Sequence, residues 1–342
     1  MIRLSINKKS TVSLYRQIYR QIESGRRSGV LAPGEQLPSM NELAAEADIS
    51  RETVKKAYNL LCRDGVILSR HGKGFFVAEM DKDHHLDILV LLDKQSIYKQ
   101  VFLQAFQQAL PPETHLTIQP YNQDPGLLEY YLDSHLDQYD YYIVSPHFAL
   151  DKSVQDKATA LLRRIPNRKL IMVDNWMRGV PGNYGVIYQD FRHDTANALC
   201  EVREDILRDG RLKVIVLPDS LYGSIILDSV RDFAEKADVE VSVFHDVPES
   251  VEKGDVFLVL NSQLDSGLVR LSRQITASSL EVGKDVRIIS YNEFPLNEIV
   301  LGGLTTFSTD FPAMGRKAAE MILSGHLEQI HNPFRITRRK SF

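Results

Sequence analysis

From residue 86 to the end, short apolar runs alternate with amphipathic stretches of helical period, and that alternation restricts the chain to very few folds. Ile88-Leu89-Val90-Leu91-Leu92 has no polar alternation, as expected of a strand covered on both faces. Similar runs stand at 116–118, 141–144, 170–173, 214–217, 239–244, 256–260 and 286–290. Between them, apolar residues recur at helical spacing over 97–109, 127–136, 153–164, 193–208, 225–237, 266–278 and 309–323. Segment 186–188 reads as a short extended crossing and 334–339 as an edge strand. Strand-helix alternation of this length predicts an α/β fold built on parallel sheets. Two sheets of about five strands each fit better than one very large sheet.

At 342 residues the chain is too long for one average domain, and its first quarter follows a different pattern. A helix is predicted over 13–28, where Leu14, Ile18, Tyr19 and Ile22 share a face. After Gln36-Leu37-Pro38-Ser39, one amphipathic run covers 40–47, Asp48-Ile49-Ser50 breaks it, and a second covers 51–63. Ser39 and Glu42 form a capping box for the first run, and Ser50 caps the second. An apolar strand at 66–68, the turn His71-Gly72-Lys73-Gly74 and the β-favouring Phe75-Phe76-Val77 follow. This outlines a winged helix-turn-helix, whose second helix enters the major groove with its N-terminal residues on base edges. Leu37, Leu43, Ala44, Ile49, Val54, Ala57, Tyr58, Leu61 and Ile67 are expected to pack against the first helix.

Composition is ordinary for a globular protein, 43% hydrophobic and 25% charged. The net charge of -4 conceals an asymmetry: residues 1–80 hold 13 Lys and Arg against 8 Asp and Glu, which leaves the remainder at -9. A basic small domain joined to an acidic larger one suits a nucleic-acid binder. Cys62 and Cys200 read as buried reduced thiols, because no CxxC or His/Cys ligand spacing accompanies them. His84-His85 lies in a polar linker over 79–85 without further ligands and reads as solvated. No metal and no cofactor is predicted. With no leader pattern and no bilayer-length apolar stretch, the chain is expected in the cytoplasm, with no membrane partner.

The first quarter carries, in order, Pro33-Gly34, Leu37-Pro38-Ser39, Glu42-Leu43-Ala44, Ser50-Arg51-Glu52-Thr53-Val54, Ala57-Tyr58, Leu61, Asp64-Gly65 and Gly72-Lys73-Gly74-Phe75. In these elements it resembles the DNA-binding domain of the GntR family of bacterial transcriptional regulators. The resemblance implies that Arg51 and Lys55 read bases or grip phosphates, that Thr53 helps through its hydroxyl and methyl, and that His71-Gly72 carries the wing into the minor groove. Ser39, Asn41, Ser50, Lys56 and Lys73 complete the expected contact set. Where the family usually has Arg before Glu-Leu-Ala, this chain has Asn41, which can bond adenine or phosphate but adds no charge.

Asp174-Asn175 follows a strand, Asp190 precedes a long helix, Asn261 follows another strand, and Ile289-Ser290-Tyr291-Asn292-Glu293, Leu304-Thr305-Thr306-Phe307 and the Met314-Gly315 helix come after them. On these residues the larger part is similar to the effector domain of LacI/GalR repressors, itself like sugar-binding periplasmic proteins. Arabinose-type repressors combine the same two parts. The resemblance implies two lobes joined by three crossings, expected near 186–191, 291–297 and 328–334, with the ligand between them. Independently, ligands of open α/β sheets sit beyond the carboxyl ends of strands. That rule selects Asp93-Lys94, Tyr98, His147-Phe148, Asp174-Asn175-Trp176, Tyr222, Asn261 and Asn292, a set rich in the amides, carboxylates and aromatics a sugar needs. Lys94, Tyr98, His147, Asp174, Trp176, Asn261 and Asn292 form the expected effector set, with Trp176 as the stacking platform. The alternatives are turn or cap roles for the amides, lobe packing for Trp176 and a satisfied loop histidine at 147. Asn292 stands where the family usually has Asp, and Ile226 where it commonly has a sugar-gripping Arg.

The expected organisation is a DNA-binding domain over 1–78, a linker over 79–85 and a two-lobed effector and dimerisation domain over 86–342. The expected activity is that of a homodimeric repressor on double-stranded operator DNA, released or engaged by a pentose, deoxyhexose or hexose. Two alternatives stay open: a constitutive DNA binder whose large domain only dimerises, and an α/β enzyme with a DNA-binding head. Against the enzyme, the chain lacks a phosphate loop, a nucleophile elbow and a dinucleotide-binding glycine motif.

Overall fold

The structure, a computed structural model, describes residues 6, 8, 13–27, 30–79, 85–136, 138–209, 211–217, 220–260 and 267–342. It comprises two compact units, Met1–His85 and Leu86–Phe342. Most of residues 1–12 and most of the linker lie outside the described residues.

The first unit holds α1 (Leu14–Arg27), α2 (Met40–Glu46) and α3 (Arg51–Arg63), then the antiparallel hairpin of β1 (Ile67–Arg70) and β2 (Gly74–Val77). Both sides of the capping box form: Glu42 N–H donates to Ser39 Oγ at 3.2 Å, and Ser39 N–H donates to the Glu42 carboxylate at 2.8 Å. Asp48, at φ +49°, lies in the turn between α2 and α3. Ile18, Ile22, Leu37, Leu43, Val54, Ala57, Tyr58, Leu61 and Ile67 form one buried cluster, with Ala44 and Ile49 at its margin. The buried Tyr58 hydroxyl donates to Pro38 O at 2.8 Å, which ties α3 to the start of α2.

The second unit contains two six-stranded sheets, one strand larger than expected. The first lobe comprises β3 (Asp87–Leu92), α4 (Ile97–Gln108), β4 (His115–Pro120), α5 (Pro125–His135), β5 (Tyr141–Val144), α6 (Lys152–Leu162), β6 (Leu170–Asp174) and β7 (Gly185–Tyr188). The chain then forms the second lobe with α7 (Phe191–Glu201), α8 (Arg203–Asp209), β8 (Arg211–Ile215), α9 (Gly223–Ala237), β9 (Glu240–Phe244), β10 (Asp255–Val259), α10 (Gly267–Ala277), β11 (Arg287–Tyr291) and β12 (Thr305–Thr309). Helix α11 (Phe311–Ser324) and β13 (Gln329–His331) return to the first lobe, and β14 (Phe334–Thr337) completes the second. Sheet orders are β13-β7-β6-β5-β3-β4 and β14-β12-β11-β10-β8-β9, parallel throughout except for the β12–β14 pair.

Several boundaries differ from the sequence reading. Segment 186–188 is part of β7, flanked by β6 and β13, so the first crossing follows Tyr188. The helix expected over 193–208 is two helices separated at Val202. The crossing expected near 291–297 is instead a return to the same lobe. Buried Asn297 donates to Asn292 O at 3.2 Å and accepts from Leu304 N–H at 2.7 Å, folding the segment back so that it re-enters the sheet as β12. The chain crosses at Asp310, between β12 and α11. Cys62 is half-buried and Cys200 exposed, because Cys200 falls on the outer face of α7 whose buried side carries Ala198 and Leu199. Among the described residues no helix is long and apolar enough to cross a membrane.

Asn332 joins all three crossings. Its backbone N–H donates to Tyr188 O at 2.7 Å at the end of the first, and its side-chain Nδ2 donates to Thr309 Oγ1 at 2.7 Å and Asp310 O at 3.0 Å on the second. The third passage is its own segment. Where α11 packs on α4, Gly315 is required: a Cβ there would stand 2.5 Å from Phe102 O and 2.8 Å from Phe106 N. Gly315→Ala is therefore expected to force the helices apart and destabilise the second unit by about 1–3 kcal/mol, measured by urea unfolding. Wild-type stability in that variant would refute the close-approach assignment.

Candidate functional site

In the first unit, Ser50 accepts from Thr53 N–H at 3.2 Å, and its hydroxyl lies 2.8 Å from that of Thr53. This cap starts α3 with Arg51 exposed on its first turn and Lys55 exposed one turn later, 3.4 Å from Glu52. Asn41 is exposed on α2. Lys56 lies over the Tyr15 ring, 4.2 Å from its centroid, so its charge also braces α3 against α1. His71, Gly72 and Lys73 form the exposed turn between β1 and β2; Gln36 Nε2 donates to Lys73 O at 2.9 Å and steadies it. Gly72 needs its φ of +70°, a left-handed value that glycine adopts without a Cβ penalty.

In the second unit, residues at the carboxyl ends of β3, β5, β6 and β7 converge on one buried cation. Lys99, on α4 and 3% exposed, places Nζ 3.0 Å from Asp93 and 2.5 Å from Asp174, and also bonds Ser145. Ser145 Oγ donates to Asp93 at 3.0 Å, His147 Nε2 lies 2.8 Å from Asp174, and Gln189 Nε2 donates to the other Asp174 oxygen. The Tyr121 hydroxyl donates to Ser145 O at 2.6 Å and accepts from His147 N–H at 3.1 Å, which fixes the loop after β5. Burial alone would raise the Asp174 carboxyl, but the Lys99 ammonium and His147 outweigh it and hold it far below the usual carboxylate range. Asp93 is lowered for the same balance of causes.

The second lobe covers this cluster with aromatics. Phe191 and Tyr222 stack at 4.2 Å and 9°, and the His147 ring meets Tyr222 edge-on at 5.0 Å. Burial, then the charges of Asp174 and Asp93, raise the Tyr222 hydroxyl well above its ordinary value. Gln189 Oε1 and Asn292 Oδ1 are among the buried side-chain acceptors that lack a hydrogen-bond partner. Asp174 and Asn292 end strands at the same place in their two sheets, and both have φ +73°.

Of the expected effector residues, His147 and Asp174 belong to the cluster, and Tyr98 is buried on α4 against Phe311. Lys94 is half-exposed; the cation that enters the cluster is Lys99, one turn into the following helix. The Trp176 ring is covered by the Arg178 guanidinium at 3.9 Å and flanked by Tyr188 at 5.1 Å, while its N–H donates to Tyr184 Oη at 3.3 Å. The cleft-facing stack is Phe191–Tyr222 instead. Asn261 lies outside the described residues. The strand-end rule reaches Asp93, Ser145 and Gln189, but the sequence reading did not single out Ser145 or Gln189. Nothing local marks Lys99, because only the fold brings α4 beneath three strand ends. No group of three or more metal-ligating side chains occurs among the described residues.

Fold and site together are those of a transcriptional regulator: a winged helix-turn-helix joined to a periplasmic-binding-protein-like domain. Residues 14–77 match the profile of bacterial regulatory proteins of the gntR family, and residues 234–341 match that of a periplasmic-binding-protein-like domain. The chain is 31% identical over 102 residues to the HTH-type transcriptional repressor YtrA of Bacillus subtilis, a match covering 30% of this chain and 78% of YtrA. It is 31% identical over 128 residues to the HTH-type transcriptional regulator TreR of the same organism, covering 37% of this chain and 48% of TreR. The chain belongs to the gntR family of bacterial regulatory proteins. In fold it is similar to the dimeric Lac repressor, with TM-score 0.58 and 16% identity, covering 75% of this chain and 98% of that one. It is likewise similar to the trehalose repressor from Escherichia coli, with TM-score 0.57 and 12% identity, covering 74% and 99%.

Removing the buried cation tests the cluster. Lys99→Met leaves two carboxylates buried without their counter-charge and is expected to destabilise the second unit by about 3–5 kcal/mol in urea unfolding. A loss below about 1 kcal/mol would show that the carboxylates are compensated elsewhere.

Proposed function

We propose that this regulator is a repressor controlled by a small neutral sugar held between the lobes of its second unit. The observation that carries the reading is the two unpartnered buried acceptors, Gln189 Oε1 just after β7 and Asn292 Oδ1 just after β11, beside an acid-rich floor. Buried acceptors without donors call for a hydroxyl-bearing ligand, whose O–H groups satisfy them. Stacked Phe191 and Tyr222 offer apolar faces for sugar C–H groups. Asp93 and Asp174 disfavour an anionic ligand there, and Lys99 is already committed to both. A relative of similar fold, a LacI family regulator from Lactobacillus casei, was solved with bound sucrose; its TM-score is 0.56 at 16% identity, covering 75% of this chain and 99% of that one.

The ligand favours one lobe arrangement over the other and so shifts the population of a homodimer, changing the spacing of its two DNA heads. Arg51, Lys55, Lys73 and the wing residues His71 and Gly72 contact operator DNA, with Ser39, Ser50 and Asn41 at the helix starts. No catalytic step is required, and the protein works in the cytoplasm. The competing reading, a large domain that only dimerises, predicts no response to any sugar.

Two measurements test this. A thermal-shift screen of neutral pentoses, deoxyhexoses, hexoses and disaccharides is expected to give a concentration-dependent rise for one of them. That rise should be lost in Tyr222→Ala; a flat response to the whole panel would leave the dimerisation-only reading. Arg51→Ala is expected to weaken specific operator binding by about 1–3 kcal/mol in a titrated gel-shift assay. Unchanged operator affinity would remove Arg51 from the DNA-reading set.

A further inference from the structure

The second lobe carries a cavity that the cleft does not use. Helices α7 and α9 both start at the cleft, where Phe191 and Tyr222 stack, and run outward side by side. At the inner end of the cavity, Ser229 Oγ in the middle of α9 donates to Arg192 O at the start of α7 at 2.9 Å. Farther along, the small side chains of Ala196 and Ala237 leave a cavity of about 320 Å³ with Phe233 in its wall. Its rim carries three fixed cations, Arg192, Arg203 and Lys236, against one carboxylate, Asp232. Arg192 is partly engaged, 3.3 Å from Asp228 and 3.4 Å from Asp232. Among the described residues neither Arg203 nor Lys236 has an ion pair, although the surrounding unit is acidic overall.

A volume at the lower end of the range for small-ligand sites (about 300–1,000 Å³), a part-apolar wall and a surplus of cations define an occupant: small, anionic at one end and carbon-rich at the other. Guanidinium and ammonium donors bind phosphate oxygens through charge-assisted hydrogen bonds. We infer that this cavity is a second ligand site, separate from the cleft, that takes the phosphate monoester of a small metabolite. Its phosphoryl group lies between Arg203 and Lys236, and its carbon skeleton rests on Phe233 and the two alanines. The same helices present Phe191 and Tyr222 to the cleft, so an occupant that changes their spacing also changes the cleft's aromatic cover. This goes beyond the sugar reading and does not depend on it.

Cys200 lines the cavity and is exposed, which provides a local probe. The full-length protein is titrated calorimetrically, at constant ionic strength, with glucose 6-phosphate, glycerol 3-phosphate, 3-phosphoglycerate, inorganic phosphate and glucose. In parallel, iodoacetamide labelling of Cys200 is followed by mass spectrometry, with Cys62 as internal control. At least one ester is expected to bind saturably, to slow labelling of Cys200 and not of Cys62, and to bind about tenfold more weakly to the R203A/K236A variant. Equal binding to both proteins, no saturable binding by any ester, or unprotected Cys200 overturns the site. Inorganic phosphate binding as tightly as every ester overturns the assignment to an ester. Loss of the cleft response in Tyr222→Ala with ester binding retained separates this site from the proposed sugar site.

Discussion

A single buried amide, that of Asn332, is bonded at every passage of the chain between the two lobes. Asn332 uses its backbone N–H on the first crossing and its side-chain Nδ2 on the second, while it sits on the third itself. An amide suits this place, since it offers two side-chain donors at fixed angles without the desolvation penalty of a charge. Its partners are backbone oxygens and a hydroxyl held by the ends of β7 and β12. The three crossings therefore lie at one level of the molecule.

On the first-lobe side, opposite charges pack so closely that the cleft floor has little freedom. Asp93 and Asp174 remain ionised because Lys99 is within hydrogen-bond reach of both, and burial strengthens that attraction as well as opposing it. The left-handed backbone at Asp174 and Asn292 costs about 1–3 kcal/mol at each site. It recurs at the same position of both sheets, where it turns a polar side chain off the end of a strand. Two related lobes thus face each other with one strained polar residue apiece. The second lobe adds Phe191 and Tyr222, which contact the first lobe through His147.

The winged helix-turn-helix was legible almost residue by residue, because its signals are local. A capping serine, the glutamate three positions on and a glycine at a tight turn act within a few bonds of one another. Lys56 is the exception: its placement over Tyr15 depends on how α3 packs against α1. In the larger unit most strands were legible from apolar runs. The exceptions were short or lay where tertiary contacts decide. Strand β13 has three residues and no apolar run, and it is a strand because β7 offers a free edge. The segment after Asn292 looked like a crossing, yet buried Asn297 folds it back into its own lobe.

By itself the sequence determined the fold class, the winged helix-turn-helix unit and most of the strand ends. Periodicity, caps and strand ends are properties of neighbouring residues. Tertiary structure alone decided which cation neutralises the carboxylates, which aromatics cover them and where the chain changes lobes. The position of Lys99 between Asp93 and Asp174 and the stacking of Phe191 on Tyr222 both depend on groups far apart in the chain. Asp174 lies 75 residues from Lys99, and only closure of the βαβ units brings them to 2.5 Å. A buried charge takes its partner from whatever the packed fold sets beside it, and one-dimensional spacing does not record that.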